Sequence, residues 1–210
     1  IKMALSVLSY GYLCCKKKIK PNPTLINFKK SFNSRAGQKL LKEKVSLLHC
    51  VSEYPAPNDQ LNLLSIKFLK KNFRLKIGFS DHSNGTLASE TAVALGAEII
   101  EKHLTLNKNS TGPDHKASLS PFEFKNLVNR IKVIEHSLGE EKKIIMKCEI
   151  ANKKIASKSL FALKNIYKGE IFTENNVTIK RPFIGLSPMN YWKTLGKKSK
   201  KTYKIDDPIL

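Results

Sequence analysis

Arginine is nearly absent from a strongly basic chain: only Arg35, Arg74, Arg130 and Arg181 occur among 38 basic residues, against 17 acidic ones, for a formal charge of +21. Bidentate recognition of phosphates and base edges favours the guanidinium fork over the lysine ammonium. The excess is therefore lysine scattered over helix faces, a solvated surface that would also steer an anionic small substrate, and nucleic acid is a weak partner class. Cysteine is scarce too. Cys14 and Cys15 are adjacent, Cys50 and Cys148 stand apart, and no CxxC pair exists, which excludes a zinc framework and a small-domain disulfide scaffold. Cys50 closes an apolar run and is expected to pack as a small buried hydrophobe, and a reducing cytoplasm suits this cysteine usage. Membrane-length apolar runs are missing. Residues 1–15 are apolar but short, and the cluster Lys16 to Lys18 follows them, whereas a signal peptide places its basic residues first. With isoleucine in first place, this stretch reads as a truncated or out-of-frame start. Repeats and low-complexity tracts are also lacking.

What remains is globular. A hydrophobic content of 41% over 210 residues supports a buried core in one domain, or one domain plus a small module. From Thr24 a helix runs through Phe32 and is broken by Asn33 to Gly37. Val45 to Cys50, VSLLHC, is a continuous apolar run expected to form a strand covered on both faces. Tyr54 to Asn58 holds two prolines and forms a turn. Asn58 then caps a helix with Leu61, Leu64, Phe68 and Leu69 on its apolar face. A second strand covers Leu75 to Phe79. A small-residue helix from Thr86 to Leu95 presents Leu87, Thr91 and Leu95 and closes at Gly96, and a third strand covers Ala97 to Lys102. Ser120, Pro121 and Glu123 open a helix whose stripe is Phe124, Leu127, Val128, Ile131, Ile134 and Leu138, stopped by Gly139. Alternating strands and helices at this spacing indicate parallel α/β packing, as a TIM-barrel segment rather than an open sheet. Three units cannot close a barrel of eight, so further units are expected upstream. An open edge at residues 45–50 is expected to promote aggregation. After a charged linker, residues 140–156, the chain changes to short apolar runs with frequent turns over 157–210, a small module with one short helix from Ser187 and Pro188.

The chemistry concentrates between Lys76 and Lys116. His82 and His103 each end an apolar run, and two strands ending in histidine bring both imidazoles to one sheet edge, where neutral ring nitrogens can hold a divalent metal. Glu101, two residues before His103, shares its strand face. The plainer alternative is a pair of loop-edge histidines bonded to backbone. His49, His115 and His136 are read as structural.

The motifs LLHCVSEYPAP, IGFSDHS, ALGAEIIEKHLTL, GPDHKASLSP and the later KGE, KRP and SP elements together resemble the sialic acid synthase family from about Val45 to the C-terminal end, and weakly from Thr24. The resemblance implies an α/β fold: the last three βα units of a partial TIM barrel over 24–139, followed by a small antifreeze-like SAF domain over 157–210, with 1–23 unmatched. It implies His82 and His103 as ligands of a catalytic Mn2+ or Mg2+, and Glu101 as the acidic residue beside that metal and its water. Tyr54 and Asp114 would contact the amino sugar, Ser80 phosphoenolpyruvate, and Ser52 would be a further polar contact. Arg181 would be the arginine that the SAF domain contributes to the second subunit of a domain-swapped homodimer. From spacing alone, Tyr54 could instead anchor its proline turn, Asp114 cap a loop and Arg181 be a surface cation.

The implied reaction joins C3 of phosphoenolpyruvate to the aldehyde carbon of N-acetylmannosamine or a related amino sugar. Water adds at C2 and phosphate leaves by C–O cleavage. The family's upstream half barrel, which supplies lysines for phosphate and carboxylate, has no counterpart in residues 1–44. The chain alone is therefore expected to be a weakly active or inactive fragment. The other classes are a non-catalytic carbohydrate-binding or scaffold module and a basic nucleic-acid binder.

Overall fold

The computed structural model describes residues 1–112 and 114–210, with the backbone alone at Lys154; Pro113 of the GPDHK motif lies outside the described residues. The chain divides into two units, Ile1–Glu140 and Glu141–Leu210.

In the first unit the three apolar runs become β1 (Ser46–Cys50), β2 (Lys76–Asp81) and β3 (Ile99–Lys102), a parallel sheet in the order β1-β2-β3. Parallel neighbours need crossovers. Helix α4 (Ser65–Phe73) supplies the first and α5 (Leu87–Ala94) the second. Central β2 buries Ile77 and Phe79 completely. The run at 45–50 is not covered on both faces as expected: β1 is an outer strand with half-buried centre and exposed ends, because it has a hydrogen-bonded neighbour on one side only.

Two helix faces differ from their expected ones. Asn58 opens only a one-turn 3-10 segment, Asn58–Gln60, and α4 starts at Ser65. The later start rotates the face, so Ile66 and Leu69 are buried while Leu64 and Phe68 are exposed. In α5 the buried residues are Ala88, Ser89, Ala92 and Val93, and Leu87 points to solvent. Small side chains let that helix lie close to β2. Gly96 ends it in the left-handed region, at φ 98°, as the glycine signal predicts.

The expected break at Asn33–Gly37 shrinks to one residue. Ser34 ends α2 (Leu25–Asn33) and caps α3 (Arg35–Lys44), its hydroxyl accepting the Gly37 N–H at 2.9 Å. Position 37 requires glycine, since a Cβ would stand 2.0 Å from the Ser31 carbonyl oxygen. The apolar opening stretch is α1 (Lys2–Lys17), which packs on α2 and α3 and brings Leu5 to Leu41 in the core. Among the described residues no helix is long and apolar enough to cross a membrane.

Helix α6 (Pro121–Leu138) carries the capping box expected of Ser120 and Glu123. Of its stripe only Leu127 is fully buried, and Val128 and Leu138 are exposed. The Lys108 ammonium at 2.7 Å, followed by the Ser120 N–H, holds the Glu123 carboxyl down to about 2 from its ordinary 4.5. A depressed carboxyl stabilises the fold above its ordinary value and loses that contribution as pH falls through the folded value. Urea stability is expected to decline from pH 4.5 towards pH 2, by the modest amount of a solvent-screened pair, with a shallower slope in Lys108→Met. Equal slopes in parent and variant would contradict this account of Glu123.

In the second unit the charged connection contains α7 (Ile150–Ala156). Strands β4 (Ser159–Ala162) and β5 (Val177–Lys180) pair antiparallel over a core of Leu160, Ile166, Phe172, Val177, Tyr203 and Ile209. Such a small core leans on backbone ties, and Ile166–Tyr203, Ile171–Lys198 and Phe161–Pro208 bridges supply them. Ser187 caps the turn Pro188–Asn190 that leads into α8 (Tyr191–Thr194), as expected.

Candidate functional site

The site grows from the register of two strand ends. Ser80 lies opposite Glu101 and Asp81 opposite Lys102, after which the β2–β3 ladder stops and His82 and His103 follow. Side chains alternate along a strand, so these successive pairs use opposite faces of the sheet. On one face the Ser80 hydroxyl donates to Glu101 Oε1 at 2.6 Å. On the other, buried Lys102 Nζ stands 3.2 Å from Asp81 Oδ2, with both side chains at 1% exposure or less.

The two imidazoles meet edge to face, with ring centroids 5.5 Å apart. The Tyr54 ring stacks on His82 at 4.0 Å and lies 5.3 Å from His103. It is carried there by the loop after β1, which is folded onto β2 by the Ala56 N–H donating to the His82 carbonyl at 2.9 Å. His82 Nδ1 lies 2.8 Å from the Val51 carbonyl oxygen. A carbonyl only accepts, so Nδ1 carries the proton and Nε2 presents its lone pair. The Tyr54 hydroxyl donates to that Nε2 at 3.1 Å. Partial desolvation, then the charges of Cys50, Asp114 and Glu101, raise the phenol above its ordinary 10.0, so it is a donor at neutral pH. Asp114 Oδ2 stands 3.8 Å from His103 Nδ1.

This donor set fits a divalent ion. Both imidazoles reach the C-terminal edge of the sheet, and His82 has the backbone partner that fixes a metal-binding tautomer. Among the described residues no cluster of three His, Cys, Asp or Glu side chains forms, so protein groups would fill only part of the coordination sphere. An open sphere is the arrangement that lets substrate oxygens bind.

Tyr54, Ser80, His82, Glu101, His103 and Asp114 therefore come together. Ser52 is exposed in the loop after β1, and Arg181 is exposed in the second unit at the end of β5. His49, His115 and His136 make local bonds, to the Leu61 carbonyl, the Thr105 hydroxyl and the Lys132 carbonyl. Cys50 is not buried as expected. It is exposed at the end of edge strand β1, with Sγ 3.7 Å from His82 Nδ1. Asp81 and Lys102 escape a reading by residue type. Their signal is positional: opposite charges immediately before histidine in SDH and EKH, at the ends of consecutive strands. Burial pushes the Lys102 ammonium down from its ordinary value, against the opposing charge of Asp81.

Residues 8–143 match the NeuB family and residues 157–210 the SAF domain. The first match begins within α1, upstream of Thr24. The N,N'-diacetyllegionaminic acid synthase of Campylobacter jejuni is 50% identical over 168 residues, 80% of this chain and 50% of that protein. Human N-acetylneuraminate-9-phosphate synthase is 37% identical over 175 residues, 82% of this chain and 48% of its own length. The chain thus spans about half the length of the curated relatives it matches. Among solved structures, the spore coat polysaccharide biosynthesis protein E of Chromobacterium violaceum superposes with a TM-score of 0.62 at 26% identity, over 87% of this chain and 56% of that one. The N-acetylneuraminic acid synthetase of Leptospira borgpetersenii superposes with a TM-score of 0.51 at 35% identity, over 62% and 45%. The parallel sheet with histidine at two neighbouring strand ends and the two consecutive domain matches agree: the chain belongs to the NeuB family, that of the sialic acid synthases, and joins part of its α/β barrel to an SAF domain.

Proposed function

We propose that this chain carries the metal-facing and sugar-facing part of a synthase site that condenses phosphoenolpyruvate with N-acetylmannosamine or a related amino sugar and releases phosphate. The observation that supports this reading most is the convergence of His82, His103 and Tyr54 at the ends of β2 and β3. His82 and His103 would hold Mn2+ or Mg2+, which when bound supplies Lewis-acid polarisation of the sugar aldehyde. Tyr54, held protonated, offers a donor and a flat face to the sugar. Ser80 orients Glu101 through Oε1, and Oε2 has no hydrogen-bond partner among the described residues. In this reading that oxygen would accept a proton from the water adding at C2. Asp114 adds an acceptor for sugar hydroxyls beside His103. In this reading Arg181 serves the second copy of a homodimer, where its planar fork suits an acetamido carbonyl.

Phosphoenolpyruvate brings a phosphate and a carboxylate that need cations. Lys102, the lysine between Glu101 and His103, is committed to Asp81. These residues alone are therefore expected to bind sugar and metal but to turn over little. Saturation-transfer NMR with N-acetylmannosamine and Mg2+ should show contact with the parent chain and none with Tyr54→Ala. No transfer to the parent would sink the reading. Phosphate release by the chain alone at the rate of a complete synthase would contradict the division of labour.

A further inference from the structure

We propose that Asp81 and Lys102 form a buried positioning pair that sets the distance and orientation of the His82 and His103 rings, an assignment that deepens the metal-site reading above and rests on it. The ladder between β2 and β3 ends at this pair, and beyond it the His82 and His103 carbonyls turn to loop partners, accepting the Ala56 and Leu119 N–H groups at 2.9 Å each. The last side-chain link between the two strands before the rings is an ion pair, with Lys102 1% and Asp81 0% exposed.

The bonds around the pair bracket His82 on both sides. Asp81 Oδ1 accepts the Ser83 N–H at 2.8 Å and the Ser83 hydroxyl at 2.6 Å, closing a tight loop of backbone across residue 82. Lys102 Nζ also donates to the Ser83 carbonyl. The lysine that precedes His103 thus grips the residues before and after His82. Asp81 Oδ2 accepts from Ser89 Oγ at 2.5 Å, tying the assembly to α5. Ser80 and Glu101 make the matching link on the opposite face. A surface ion pair would hold two exposed side chains loosely. This one is enclosed, and among the described residues no buried side-chain polar atom lacks a hydrogen-bond partner, so it fixes geometry. Asp81 and Lys102 do not face the ring nitrogens and act through the histidines.

The test uses the 210-residue chain with Asp81→Asn combined with Lys102→Met. This double variant removes both charges, keeps an acceptor for Ser83 and leaves no ion unpaired, so it should fold. Ser89→Ala serves as the control, because it removes one hydrogen bond to Asp81 Oδ2 and the tie to α5 while leaving the ion pair and its Ser83 bonds in place. Two readouts are taken. In metal-free chain, 1H–15N correlations of the imidazoles should show His82 and His103 displaced or broadened in the double variant, with His136 unchanged and all three preserved in Ser89→Ala. By calorimetry, Mn2+ affinity should fall about 10- to 100-fold in the double variant, the range found for groups that orient metal ligands, and stay at the parent value in Ser89→Ala. Unchanged His82 and His103 signals in a folded double variant would overturn the proposal. If the parent fails to bind Mn2+ while those signals still move, the metal reading falls and the positioning role stands.

Discussion

Replacing Lys102 with Met alone is expected to lower the stability of the first unit by about 3–5 kcal/mol, the usual effect of stranding one member of a buried ion pair. The Asp81 carboxylate would keep the Ser83 and Ser89 hydrogen bonds but lose the one cation paired with it among the described residues, with its own side chain fully buried. The Met side chain would take the space of the lysine's own methylenes, so little of the loss would come from packing. The double variant Asp81→Asn, Lys102→Met should recover most of the difference, because two buried charges removed together leave none uncompensated. Urea unfolding of the three proteins at neutral pH measures both effects. A loss below about 1 kcal/mol for Lys102→Met, the scale of a surface pair, would show that water reaches the carboxylate.

The sheet and the histidine pair were legible because strand runs in a parallel sheet are continuous, short and bounded. VSLLHC, LKIGF and AEIIEK read as strands in advance of any coordinates, and each observed strand lies within a residue or two of its expected place. Cap chemistry was equally local: Ser120 with Glu123, Gly96, and Ser187 with Pro188 all behave as their types predict. What sequence hid was tertiary. Whether Leu64 or Ile66 faces the core depends on where α4 starts, and a rotation of two residues moves a side chain through more than half a turn. Ser34 can end one helix and begin another because Gly37 allows the corner, a close approach that no periodicity reports. Cys50 looked like core because its neighbours are apolar, yet strand ends at the functional edge of a sheet are open. In the site, residue types announced His82, His103 and Glu101, and the resemblance added Tyr54, Ser80 and Asp114. Asp81 and Lys102 stayed out of view because a buried charge is recognisable only when its partner on the adjacent strand is known.

Loss of metal binding on His82→Ala or His103→Ala is the other large effect expected. In the proposed site each ring would supply one protein nitrogen to a shared ion, and among the described residues no group of three His, Cys, Asp or Glu side chains offers a metal site in its place. His82 is exchanged without breaking the core, since it is half-buried at the site's edge and its Nδ1 bond goes to a loop carbonyl. Removing a direct ligand should weaken binding by more than the roughly 10- to 100-fold seen for outer-shell losses.

Calorimetric titration of the 210-residue chain with Mn2+ at neutral pH, beside both alanine variants, tests the central claim most directly. A single site in the parent that is lost in His82→Ala and in His103→Ala, with both variants still folded, is the predicted result. Equal binding by all three proteins, or no binding by the folded parent, would contradict the assignment of these strand-end histidines to a metal.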